Sequence, residues 1–191
     1  MNNENDFLSD AEQFEYLGRY VQAFELVLES VRFNIVFIIS GSGDQSVANI
    51  ILNQKYMTAE PLKDLYDELM LKVVNKISDS EEKDLSLQIL RDIKTKLKKS
   101  AEMRNSVLHS TFHIGWHSPE NINYSELPIR PNKKTEIKIP KIKKEIEDMI
   151  KQLDLLSKDI HRFMCHVILN TGKVSDSFEV VSDNIRRKYT P

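Results

Sequence analysis

The chain has 191 residues and a formal net charge of −2, a length that suits one domain with a tail or insertion better than two domains. A single cysteine, Cys165, excludes an intramolecular disulfide framework and any Cys-rich zinc site, and so points to a reducing, cytoplasmic setting. Five Gly and six Pro, with 29% charged and 40% hydrophobic residues, exclude a turn-rich β fold and fit amphipathic helices with solvated outer faces.

The acidic, polar start MNNENDFLSD is not a signal peptide. The first long helix is expected from about Ser9 to Ile39, capped by Ser9 or Asp10. Phe14, Leu17, Val21, Phe24, Leu28, Val31, Ile35 and Ile38 recur at spacings of three and four along it, forming one apolar stripe. Beyond Val31 this helix is apolar nearly all round, and that end is expected to be deeply buried. The same run contains Arg32 and Asn34 and is too short to span a bilayer, so no membrane association is expected. Ser40-Gly41-Ser42-Gly43 ends the helix, because glycine takes the left-handed conformation at low cost.

A short helix is expected at 45–54, and another from Ala59 to Ile77 with Pro61 in its first turn. Leu62, Leu65, Leu69 and Val73 supply its apolar face. The polar stretch Ser78-Asp79-Ser80-Glu81-Glu82 makes a turn and a new helix start. One long helix then runs to about Phe112, with Leu90, Ile93, Leu97, Ala101, Leu108 and Phe112 inward. Gly115, Pro119, Pro128 and Pro131 break the pattern, so residues 115–139 are expected as an irregular insertion, with or without a short hairpin. Pro140 opens the last long helix, whose stripe is Ile142, Ile146, Met149, Leu153, Leu156, Ile160, Phe163 and Val167, and Asn170-Thr171-Gly172 ends it. The expectation is an all-α, up-and-down bundle of four long helices plus a short one, a single domain over 1–172. Residues 173–191 are expected to be a flexible tail.

The chemistry concentrates in Arg104-Asn105-Ser106-Val107-Leu108-His109. At about 100° per residue, positions 90, 93, 97, 101, 104 and 108 share one side of the helix. Arg104 thus stands where the pattern asks for an apolar residue, and an inward guanidinium must be compensated by a carboxylate, carbonyls or a visiting phosphate. His109 lies roughly 140° around from it. Glu102, Asn105, His109 and His113 form a polar stripe of their own, which Arg104 borders. A permanent cation, an amide and an imidazole on one helix edge suit phosphoryl chemistry: arginine holds phosphate bidentately, and histidine moves protons. The bland alternative is an inward arginine with a carboxylate partner and a structural histidine.

This pattern, an Arg followed by Asn with His at the fifth position after the Arg, resembles the motif of HEPN domains. The resemblance covers residues 8–170 in helical layout and residues 104–109 in specific sequence. It implies an all-α homodimer in which two motifs meet at the protomer interface and cut RNA without a metal or other cofactor. The ribose 2′-hydroxyl would attack the adjacent phosphate, leaving a 2′,3′-cyclic phosphate and a 5′-hydroxyl. Arg104 would then stabilise the phosphorane charge, His109 would transfer protons, and Asn105 would orient one of them. By analogy with stand-alone members the role would be a toxin or an anti-phage defence component, with an antitoxin or defence-system partner. One toxin subgroup carries His-x-Tyr; here Thr111 takes the tyrosine's place, so control through that residue is not expected.

Residues 1–30 carry a balance of −6 and residues 91–151 a balance of +6, so the second half suits a polyanion. Lys98 and Lys99, with His113 and Trp116, are the candidates for gripping and stacking RNA. His109, His113 and His117 have a metal-like spacing, but Gly115 and Ser118-Pro119 break the helix and no Asp or Cys completes the set, so no metal site is expected. His161, His166 and Cys165 are read as packing or surface residues. A non-enzymatic helical interaction module with a structural Arg104 is the rival from another class.

Overall fold

A computed structural model describes residues 10–41, 58–111, 143–181 and 184–188, together with Ser46, Ile50, Leu52, Leu127 and Pro128. The fold is all-α. Four long helices dominate: α1 (Asp10–Ser40), α2 (Ala59–Val74), α3 (Ser80–His109) and α4 (Lys143–Val167). A two-residue ladder joins β1 (Ser110–Thr111) to β2 (Leu127–Pro128), antiparallel. After α4 come a 3-10 turn (Val174–Asp176) and an antiparallel hairpin of β3 (Phe178–Val181) and β4 (Asn184–Arg187), in register Phe178 with Arg187. The predicted short helix at 45–54 falls mostly outside the described residues; Ser46, Ile50 and Leu52 are helical. Most of the 115–139 insertion also lies outside them. Among the described residues, no helix is long and apolar enough to cross a membrane.

Local chemistry sets the helix ends. Asp79 Oδ1 accepts from the Glu81 and Glu82 amides at 3.0 and 3.2 Å, satisfying two donors that no helical carbonyl can reach. Gly41, at φ 58°, closes α1 with its amide on the Phe37 carbonyl. After α4, Asn170 takes φ 52° and Gly172 φ 152°. The conformation at Gly172 favours glycine, and a Cβ there would also crowd an Asp176 carboxylate oxygen at 3.2 Å.

The chain divides into two compact units, residues 1–24 with 99–153 and residues 25–98 with 154–191. In the first, Tyr16 packs on Ile146 and Ile150, and its hydroxyl donates to Glu147 at 2.7 Å. Tyr20 donates to the Ser100 carbonyl at 3.2 Å. In the second, Ser30 meets Ser157 at 2.7 Å and the Phe33 ring lies 6.3 Å from that of His161. Within the second unit these contacts advance together along α1 and α4, so the two helices run in the same direction there.

The inner face of α4 agrees with the periodicity: Ile146, Leu153, Leu156, Ile160, Phe163 and Val167 are buried. So does that of α3 through Leu90, Ile93, Leu97 and Ala101. In α1, Leu17, Phe24, Leu28, Val31 and Ile35 are buried as the stripe predicts, but Phe14 is 57% exposed and Tyr16 and Tyr20 are buried as well. The far end of α1 is not buried all round. Val31, Asn34, Ile35 and Val36 are inside, but Phe33 and Ile39 face out, since neighbours cover only one side of the helix. In α2 the buried line runs Leu62, Tyr66, Met70 and Val74, one step round from the predicted one.

The expected flexible tail is corrected most. Phe178 is 1% exposed and meets Phe163 edge-on, with centroids 6.5 Å apart. Glu82 accepts from the Val174 and Ser175 amides at 2.8 and 3.3 Å and from the Ser175 hydroxyl. Arg187 pairs with Asp159 and donates to the Leu155 carbonyl at 2.8 Å. Val174 and Phe178 are therefore part of the second unit's core, and Ser175 and Arg187 are tied to its helices.

Replacing Phe178 by alanine should cost about 3–5 kcal/mol, as for other buried aromatics, read from urea denaturation, whereas Val180→Ala on the exposed side should change little. Burial holds the phenols of Tyr20 and Tyr66 above their ordinary value of 10.0, and the Asp67 carboxylate adds to this at Tyr66. The folded chain then keeps protons that the unfolded chain releases, so stability should fall as pH rises past about 10. Tyr66→Phe should flatten that slope.

Candidate functional site

Because Leu97 and Ala101 are buried at 2% and 3% exposure, the rotation of α3 about its axis is set, and Arg104 continues the same line. It is half-buried, its Nε is shielded from solvent, and its Nη1 donates to Asn105 Oδ1 at 3.4 Å. Asn105 is exposed. His109 is the last residue of α3, and β1 begins immediately after it. The helix thus ends three residues before the expected Phe112. The side chain of His109 and the whole of His113 and Trp116 lie outside the described residues.

The lysine run before the motif divides into two kinds. Lys94 pairs with Asp67 at 2.7 Å and Lys96 with Asp92 at 2.6 Å. Lys98 and Lys99 are exposed and, among the described residues, make no ion pair. They are the lysines of this run whose charge is open to a polyanion.

A feature that sequence reasoning passed over lies in the second unit. A cleft of about 570 Å³ is bordered by α4 residues Lys158, His161, Arg162, Cys165 and His166. Ser30 and Ser157 close one side, and Ser177 and Arg187 of the C-terminal segment another. Cys165 Sγ lies 3.8 Å from His161 Nε2, and His166 Nε2 meets Ser177 Oγ at 2.8 Å. Residues 158, 161, 162 and 165 follow the i, i+3, i+4, i+7 spacing of one helix face. That spacing was visible in the sequence; the hairpin wall opposite it was not. Among the described residues, no group of three His, Cys, Asp or Glu is arranged to hold a metal ion.

No protein-family model matches the chain, and no curated protein or solved structure does.

The Arg187–Asp159 pair ties the hairpin wall of the cleft to α4. Both side chains are about four-fifths covered, so losing one partner leaves a poorly solvated charge. Asp159→Asn should accelerate amide hydrogen exchange in β3 and β4 at least several-fold, with α2 unchanged, as read by mass spectrometry.

Proposed function

We propose that this protein is a metal-independent endoribonuclease of the HEPN type, working as a homodimer. The observation that carries the reading is the placement of Arg104. A half-buried guanidinium, directed by the buried line of Leu97 and Ala101, sits beside Asn105 and five residues before His109 at the helix end. On a single helix Arg104 and His109 diverge by roughly 140°. A second protomer bringing its own pair to the same phosphate supplies the missing direction.

In the proposed reaction the 2′-hydroxyl loses its proton and its oxygen attacks the adjacent phosphorus. The bond to the 5′-oxygen breaks, and that oxygen takes up a proton, giving a 2′,3′-cyclic phosphate and a 5′-hydroxyl. His109 moves the proton and Arg104 neutralises charge on the non-bridging oxygens, each contributing factors of roughly 10² or more. Lys98 and Lys99 hold the RNA backbone. The setting would be the cytoplasm, in a toxin or phage-defence role with a dedicated partner protein. A second reading, a catalytically silent helical RNA- or protein-binding module, draws on the half-burial of Arg104, which also suits a structural arginine.

Incubation with RNA in EDTA decides between them. Cleavage should persist in chelator, leave cyclic phosphate ends, spare DNA, and fall at least about 100-fold in Arg104→Ala and His109→Ala. Intact RNA over a wide range of protein concentration, with the variants folded, would favour the silent module. Lys98→Ala and Lys99→Ala should each weaken RNA binding and reduce the slope of log affinity against log salt by about 0.7.

A further inference from the structure

We infer that the cleft against α4 is a binding site for a phosphate monoester, contributed by the second compact unit and independent of the RNA-cleavage reading. Its rim is cationic from two directions. Lys158 and Arg162 stand one turn apart on α4, and Arg187 faces the cleft from β4. No carboxylate is among the described residues that border it. Lys158 is paired with Asp154 at 2.6 Å and Arg187 with Asp159. Arg162, half-buried, has no ion pair among the described residues. Of the three rim cations it is the one without a carboxylate partner among the described residues.

The neutral groups suit the same ligand. His161 and His166 bring ring nitrogens, and Ser30, Ser157 and Ser177 bring hydroxyls. A tetrahedral dianion accepts hydrogen bonds in several directions at once, which a planar carboxylate does less well, and a guanidinium meets two of its oxygens together. The volume of about 570 Å³ exceeds what a bare phosphate fills and is that of a small organic ligand. The exposed Phe33 ring lies 6.3 Å from the ring of His161, a residue that borders the cleft.

Cys165 supplies the measurement, because it borders the cleft and is the only thiol of the chain. The rate of its alkylation by neutral iodoacetamide would be followed by mass spectrometry at constant ionic strength. Inorganic phosphate should slow it saturably, at least threefold, and a nucleoside 5′-monophosphate should do so at lower concentration. Arg162→Ala should abolish both effects. Lys158→Ala, at a side chain 59% exposed and so harmless to folding, should raise the half-protecting concentration several-fold. The proposal fails if phosphate leaves the rate unchanged or if chloride at equal ionic strength protects as well. It fails too if a folded Arg162→Ala chain is protected normally, or if RNA without a terminal phosphate protects as strongly as the monophosphate. RNA cleavage by the unaltered protein would be untouched by any of these outcomes, so the two readings stand or fall separately.

Discussion

A helix that buries Leu90, Ile93, Leu97 and Ala101 against its neighbours has no rotational freedom left about its own axis. Turning α3 by one residue's worth, about 100°, would bring these four side chains toward water and forfeit roughly 1.5–3 kcal/mol for each large one. That penalty is far larger than any preference Arg104 has for a particular environment. The apolar line therefore decides where the arginine goes, and with it the direction available to Asn105. The position of Arg104 is a by-product of core packing in the turns just before it.

The same dependence organises α4 and the C-terminal hairpin. In the second unit, α4 presents Phe163 to the C-terminal hairpin while an adjacent strip of its surface presents Lys158, His161, Arg162 and Cys165 to the cleft. Packing on one side and polar display on the other follow from one helical phase. The Arg187–Asp159 pair and the amides of Val174 and Ser175 on Glu82 hold the hairpin where Phe178 closes the core and Ser177 reaches His166.

What could be read from the sequence follows from these facts. Helices α3 and α4 were legible because their inner lines are plain aliphatic and phenyl side chains at regular spacing. The phases of α1 and α2 were harder, since Tyr16, Tyr20 and Tyr66 are buried although a phenol counts as half polar in any hydropathy pattern. Their rings pack, and two of the hydroxyls have a visible acceptor, Glu147 for Tyr16 and the Ser100 carbonyl for Tyr20. The hairpin after α4 was missed because four-residue strands rich in charge carry almost no periodic signal, and its one decisive residue, Phe178, looks isolated until Phe163 is placed opposite it. Arg104 was legible as an interruption of a clear line. The cleft was not, because its walls come from α1, α4 and the C-terminal segment, and Ser30 of α1 is 127 residues from Ser157.

The lateness of that hairpin has a temporal side. Chains emerge from the ribosome N-terminal end first, so α4 is complete well before Phe178 appears. During that interval Phe163 lacks its edge-on partner. The second unit cannot close its core until residues 174–188 have cleared the exit tunnel, and until then Ser177 and Arg187 are not in place to form the cleft. In the order of synthesis, the wall that completes the cleft is the last part of this unit to arrive.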